Sequence, residues 1–350
     1  MKAVVIHGIH DLRIDEVPKP EPGPGEVVCK VAAAGICGTD IEIYHGTMAY
    51  IEMGMLEYPW TPGHEWSGVV DTIGEGVTSL KPGDRVVGEC SVSCNSCPAC
   101  VRGDYHLCET RTEIGLTGRY PGAFAEYVRM PAASCIKIPA GVKLQEAGMT
   151  EPAAVAVHAV DLLGVMPGEK VVVLGDGTIG QLAAQVAKAA GASPLVVVGS
   201  RDHRIKILKE VGIEHVVNRH DADVVEQVLA ILGGKADHVV EATGNPQVMD
   251  AIPSLIRMGG QVVVVSFFPS NEVTFNFNNF IANEVQIHTM IAGVNRFPRT
   301  LRLMASGLLK VLPLESEYYT LEQAAQAFED TANKKTSGVK TLIVNKALLD

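Results

Sequence analysis

The sequence predicts an α/β protein with a β-rich first part and a doubly wound parallel sheet behind it. Residues 1 to about 150 hold short Val/Ile runs between Gly/Pro clusters, whereas beyond Glu151 strand and helix patterns alternate. Length agrees: 350 residues exceed one average domain, and 47% hydrophobic residues suffice for two cores.

In chain order, MKAVVIHGIHDLRIDEV reads as an opening strand pair, without the apolar segment and cleavage site of a secretory leader. EVVCKVAAAGI, SGVVDTIG, DRVVGE and AFAEYVRM follow as strands, bounded by turn clusters such as PEPGPGE and LKPGDRV. EPAAVAVHAVDLLGV is a helix that Met166, Pro167 and Gly168 end. The later strands are KVVVLG, PLVVVG, HVVN, DHVVEA, QVVVVSF and VQIHTM. Between them TIGQLAAQVAKAAG, HRIKILKEVG, DVVEQVLAIL and NPQVMDAIPSLIRMG read as helices. Unbroken Val runs suit strands buried on both faces of a parallel sheet. The tail adds helices RTLRLMASGLLK and LEQAAQAFEDTAN and a last strand, KTLIVN.

Charge and hydropathy exclude several classes. A net charge of −11 argues against a nucleic-acid partner. No apolar run reaches the roughly 18 residues of a membrane span, so no membrane partner is expected and a cytoplasmic setting is. In such a setting the eight cysteines are reduced thiols rather than a disulfide framework.

VVVLGDGTIGQLAAQVAKAAG sets Gly175, Gly177 and Gly180 between a strand and a helix, with Thr178 and Ile179 in the turn. That context gives a tight turn, close backbone approach to a pyrophosphate, and unpaired N–H groups at a helix start. It predicts a dinucleotide site in a Rossmann-type domain over about 156–292. An NAD site carries an acid about 20 residues on, bonded to the ribose 2′-OH. Here the strand ending at Val198 runs into Gly199, Ser200 and Arg201. Glycine leaves room for a 2′-phosphate, serine donates to it, and Arg201 offers a fork, with Arg204 one turn further on. The expectation is NADP in preference to NAD. The alternative makes Arg201 and Arg204 solvated charges and gives the ribose to Asp202, four residues past the last Val of the strand.

Cys94, Cys97, Cys100 and Cys108 have the spacing of a closed tetrahedral zinc site, which is structural because no position is left for substrate. Cys90 is a spare thiol beside them. A second set is dispersed: Cys37 in AGICGTD, His64 and Glu65 in PGHE, and Glu151 opening a helix. From spacing alone His64 reads as a structural histidine before a ligand, as do His7, His10, His45 and His158.

GICGTD, PGHEWSG, GDRV, the four-cysteine lobe, the Glu-Pro helix start and GDGTIG occur in order over nearly the whole chain. Together they resemble the zinc-dependent medium-chain dehydrogenase/reductase family, and Glu151-Pro152 is similar to its polyol (sorbitol/iditol-type) members. The resemblance implies a GroES-like catalytic domain over 1–155 and 293–350, with the Rossmann domain over 156–292. It implies two zinc ions per subunit, the catalytic one on Cys37, His64 and Glu151. Glu65 is then the carboxylate able to ligate in place of water or Glu151. Thr39 matches a proton-relay position, against a turn-stabilising hydroxyl. Arg296, in VNRF, matches a substrate contact, against an ordinary helix-start charge.

The implied reaction moves a hydride between a polyol or other secondary alcohol and NADP, giving the ketone. The alternatives are an NAD-linked polyol or threonine-type dehydrogenase, and a binding protein that kept the fold without the chemistry. The intact Cys37/His64/Glu151 set disfavours the last. Glu42 stands where polyol-type and threonine-type relatives often carry His, and Ser91 where threonine-type relatives tend to carry one; both departures weaken threonine as substrate. A homodimer or homotetramer is implied. The Met-rich stretch HGTMAYIEMGMLEYPWTPGHE either lines the pocket or packs through Met48, Met53 and Met55.

Overall fold

A computed structural model describes residues 1–268, 270 and 272–349. The chain forms two compact units: Met1–Glu151 with Phe297–Ala305 and Glu315–Asp350, and Pro152–Arg296 with Ser306–Leu314.

The first unit opens with an antiparallel ribbon, β1 (Lys2–Gly8) and β2 (Asp11–Glu16). β3 (Glu26–Gly35) is buried almost throughout and is followed by α1 (Gly38–His45) and the single turn α2 (Ala49–Glu52). β4 (Glu65–Ile73) and β5 (Arg85–Gly88) come next. A cysteine-rich lobe then holds the paired two-residue strands β6 (Ser91–Val92) and β7 (Thr112–Glu113), with the short helix α3 (Pro98–Val101) between them in sequence. β8 (Tyr127–Pro131), β9 (Cys135–Lys137), α4 (Leu144–Ala147) and α5 (Thr150–Leu163) complete this stretch. The strand expected over AFAEYVRM begins only at Tyr127. Before it, Phe124 is fully buried in the core and its carbonyl accepts the Val4 N–H.

The second unit alternates as the Val runs require: β10 (Val171–Leu174), α6 (Thr178–Ala189), β11 (Leu195–Gly199), α7 (Asp202–Glu210) and β12 (His215–Asn218). α8 (Val224–Leu232), β13 (Ala236–Glu241), α9 (Pro246–Leu255), β14 (Ile256–Val264), α10 (Asn278–Ala282) and β15 (Gln286–Thr289) follow. The sheet order is β12-β11-β10-β13-β14-β15, parallel at every pairing. The order reverses at β10, where the crevice for a ligand opens beyond the strand ends. One expected element is corrected. IRMG is not the end of a helix but the start of β14, because Gly259 takes φ +68° and Ile256 pairs with Ala236 of β13.

The tail adds α11 (Phe297–Ala305), β16 (Glu315–Tyr319), α12 (Ala324–Ala332) and β17 (Lys340–Val344). The main sheet of the first unit then runs β16-β17-β3-β4-β5-β9, with β8 also paired to β3. Among the described residues no helix is long and apolar enough to cross a membrane.

This order sets β17 and β4 on either side of β3, and a buried ion pair crosses between them. Gly35 of β3 lies opposite Glu65 and Leu342. Lys340 donates to Glu65 Oε1 at 2.6 Å and also meets Oε2. The two side chains are only 4% and 1% exposed. A Cβ on Gly35 would collide with Glu65 Oε2 and Lys340 Cε, so a glycine is required between them. Burial disfavours the charged lysine, but Glu65, with Cys37 and Asp40, outweighs it and raises the Lys340 pKa.

Replacing Lys340 by alanine leaves Glu65 buried without its cation. The expected loss is about 3–5 kcal/mol, read as a lowered urea midpoint of the transition that includes the main sheet. The paired change Lys340→Met with Glu65→Gln is expected to recover most of it. An unchanged midpoint in Lys340→Ala would show the pair to be stabilising nothing.

Candidate active site and nucleotide site

The first cluster forms where β3 ends and β4 begins. Cys37 is the N-cap of α1, and its N–H donates to Asp40 Oδ2 at 2.8 Å. Asp40 is fully buried, and its Oδ1 lies 3.7 Å from His64 Nδ1. His64 and Glu65 follow Gly63, which takes φ +105° against the Phe124 backbone, a geometry that excludes a side chain. Ligand atoms of Cys37, His64 and Glu65 all lie within 4.8 Å of one another.

A half-buried thiol gathered with a buried imidazole and carboxylate has the donor chemistry of a zinc ion with an open position. Asp40 beside His64 Nδ1 is the kind of carboxylate that orients a ligating imidazole. Among the described residues neither Asp40 Oδ1 nor His64 Nδ1 has a hydrogen-bond partner. Burial alone would lower the His64 pKa, but Asp40 outweighs it and raises it well above the usual value.

Glu151, the fourth residue expected here, lies outside the 4.8 Å group. It is buried at the start of α5, and its pKa is pushed up to about 7, chiefly by burial, with Glu65 adding and His64 opposing. Thr39 Oγ1 lies 3.9 Å from Cys37 Sγ. Cys90 is buried, and its pKa is raised well above the usual value by burial and then by Glu151. It therefore neighbours the Glu151 and His64 charges and is not one of the four grouped thiols. Met48 is buried in the core, whereas Met53 and Met55 are exposed. His7 pairs with Asp15, and His158 Nδ1 lies 2.6 Å from the Ala292 carbonyl oxygen.

The cysteine lobe brings Cys94, Cys97, Cys100 and Cys108 within the same 4.8 Å limit. The Cys94–Cys100 and Cys97–Cys100 sulfur separations are 3.8 and 3.5 Å. A tetrahedron with Zn–S bonds of about 2.3 Å has edges of about 3.8 Å, so the thiols fit zinc. The Cys97 N–H points to Cys94 Sγ at 3.3 Å, and N–H donation from Ser96 leads in lowering the Cys94 pKa to about 5.

At the nucleotide site, Gly175 takes φ +117° and a Cβ on Gly180 would strike the Gly175 carbonyl, so both glycines are needed. Gly177 is the N-cap of α6, which begins at Thr178 and continues through Ile179. Gln181 ties this loop to α7, donating to the carbonyls of Asp176 at 3.1 Å and Arg204 at 3.2 Å. Gly199, Ser200, Arg201 and Arg204 come together beside the loop, around a carboxylate. Asp176 Oδ2 accepts the N–H groups of Ser200 at 2.7 Å and Arg201 at 3.0 Å. Its Oδ1 is 3.8 Å from Arg204 Nη1. Asp202 is exposed at the start of α7. Arg296 is held by Asp161 Oδ2 and the Val294 carbonyl, both at 3.0 Å.

Three residues escaped the sequence reading. Asp40 had a signal, an acid three residues after Cys37 at a helix start. Asp176 had one too, an acid between two motif glycines. Lys340 had none, since its partner is 275 residues away.

Residues 23–140 match the model of the alcohol dehydrogenase GroES-like domain, and 178–306 match that of the zinc-binding dehydrogenases. A sorbitol dehydrogenase of Bacillus subtilis is 31% identical over 344 residues, covering 98% of this chain and 97% of that protein. A zinc-binding dehydrogenase from Sinorhizobium meliloti, solved bound to NADP, superposes with TM-score 0.88 at 30% identity, covering 98% of this chain and 99% of that one. A protein described as a short chain alcohol dehydrogenase from Escherichia coli, complexed with NADH, gives TM-score 0.90 at 30% identity, covering 99% of each chain. Likeness of this extent, carried by both units of the chain, makes it a member of the zinc-dependent medium-chain dehydrogenase family and an alcohol-oxidising or ketone-reducing enzyme.

Proposed function

We propose that the enzyme interconverts a polyol, or a related secondary alcohol, and its ketone, using NADP in preference to NAD. The observation that carries this reading is the Cys37, His64 and Glu65 group, its thiol half-buried and its imidazole and carboxylate buried, with Asp40 beside the imidazole. The zinc ligands in this reading are Cys37 and His64 with Glu65 or Glu151, and Cys94, Cys97, Cys100 and Cys108 for a second, structural ion. When bound, zinc supplies Lewis acidity toward a hydroxyl and the nicotinamide accepts the hydride.

The chain's own residues then have separate tasks. Asp40 holds the His64 ring in one orientation through Nδ1. Lys340 balances the Glu65 charge, so the site can be anionic without being unstable. The Thr39 hydroxyl, two residues beyond Cys37, takes the alcohol proton outward. Arg296 is the proposed contact for further substrate hydroxyls. The sorbitol dehydrogenase likeness supports a polyol, and Glu42 and Ser91 speak against threonine. We assign catalysis to residues 1–155 and 293–350, the dinucleotide to 156–292, a cytoplasmic setting and a homodimer or homotetramer.

For NADP, Gly199 without a side chain, Ser200, Arg201 and Arg204 would receive the 2′-phosphate, with Gly175, Gly177, Thr178, Ile179 and Gly180 on the pyrophosphate. The neighbour solved with NADP supports this choice. The second reading, NAD, is favoured by the Asp176 carboxylate within the same group of residues and by the neighbour solved with NADH.

Elemental analysis is expected to give two zinc atoms per chain, one of them released by a chelator with loss of turnover. Polyols and ketoses of three to six carbons, assayed with both cofactors, identify the substrate. One zinc and no turnover across the panel would sink the enzymatic reading. Arg201→Asp is expected to weaken NADPH binding about tenfold or more relative to NADH, since it replaces a cation by an anion near the 2′ position. A variant that keeps the wild-type ratio would remove Arg201 from the phosphate site.

A further inference from the structure

By sequence alone the end of β11 is a pocket without its acid. The geometry points to a different arrangement: we propose that Asp176 is the discriminating acid of the ribose pocket, delivered from the glycine-rich loop instead of from the end of β11. The proposal rests on the dinucleotide site assigned above.

The parallel register explains how the acid arrives. Leu174 pairs with Val198, so Gly175-Asp176 leaves β10 at the level where Gly199 leaves β11. A Cβ placed on Gly199 would lie 3.0 Å from Asp176 Oδ2 and 3.1 Å from Asp176 Cβ. The space that glycine opens is therefore taken by the Asp176 side chain. An acid at position 199 and the acid at 176 would compete for one volume.

The position is built and not incidental. Asp176 is 5% exposed. Two backbone N–H groups, of Ser200 and Arg201, converge on its Oδ2 at 2.7 and 3.0 Å. They are the donors that a phosphate at the start of α7 would seek. Oδ1 faces Arg204 Nη1 at 3.8 Å, and Arg204 lies over the loop, 4.0 Å from where a Cβ on Gly177 would be.

The consequence for the ligand follows from charge. A ribose 2′-hydroxyl can donate to a carboxylate, as it does to the acid of an ordinary NAD site. A 2′-phosphate is a dianion near neutral pH. It would meet a fixed anion, find both N–H groups occupied, and have to draw Arg204 away from Asp176. For a separation of about 6 Å and an effective dielectric of about 20, one unit of like charge would disfavour binding by more than about tenfold. Arg201 and Arg204 pull toward NADP while Asp176 pulls toward NAD. The enzyme therefore binds both cofactors, with Asp176 holding the NADP preference down.

The test is direct binding to the purified, zinc-loaded enzyme. NADPH and NADH are titrated by nicotinamide fluorescence, and 2′,5′-ADP and 5′-AMP by calorimetry, against wild type, Asp176→Asn, Asp176→Ser and Arg201→Asp. Asparagine is isosteric and keeps one oxygen for an N–H, and serine is the check should that variant fold poorly. The expected result is that both Asp176 variants raise the NADPH-to-NADH affinity ratio about tenfold, with 2′,5′-ADP binding more tightly and 5′-AMP not. A ratio that stays constant, with both cofactors weakened alike, would mean that Asp176 only braces the loop, and the proposal would fail. A falling ratio would overturn it as well. Loss of NADPH binding in Arg201→Asp is read separately, so failure of the phosphate reading and failure of the Asp176 proposal give different patterns.

Discussion

A charged carboxylate inside a protein needs a partner, and the arrangement of the catalytic unit follows from satisfying Glu65. Its counter-ion, Lys340, enters from β17, and Gly35 of the intervening strand has no side chain so that the two can meet. With that charge balanced, Cys37 and His64 can be brought beside a buried acid in a small volume. Asp40 repeats the principle one layer further out, capping the Cys37 N–H with one oxygen and facing His64 with the other. The chemistry that this family performs with a bound metal is set in a framework where Glu65 faces Lys340 and Asp40 accepts the Cys37 N–H.

The nucleotide unit applies the same rule with a different residue. Asp176 is buried and would be costly alone, so two backbone N–H groups and Arg204 surround it. Its placement shows how an acid can leave its usual strand and still stand at the same point in space. Parallel strands in register end at a common level, and side chains from neighbouring ends can exchange volumes. Cofactor choice is then a property of the pocket's net charge, and the residue after a particular strand is only one contributor to it.

The local features were legible in the sequence because their physics is local. Gly175 and Gly180 are demanded by one turn, and Cys94, Cys97, Cys100 and Cys108 sit in one short lobe. The Val runs of the parallel sheet appeared as strands because both faces are buried. The reading went astray where pairing outweighed propensity: IRMG continues a helical pattern, yet Ile256 pairs with β13 and Gly259 turns the chain. Arg296 shows another limit. A basic residue before a helix says nothing of its partner, and here Asp161 and the Val294 carbonyl hold it.

By itself the sequence determined the fold class, the four-cysteine lobe and the glycine-rich nucleotide loop, since each depends on residue types at short, fixed spacings, whereas the dispersed Cys37, His64 and Glu151 set was implied only by the family resemblance. Tertiary structure alone decided which charges face one another. Lys340 reached Glu65 across 275 residues because β17 and β4 flank β3. Asp176 reached the volume beside Gly199 because β10 and β11 pair in register. Spacing along a chain carries no information about such meetings, because sheet order and register set the distances.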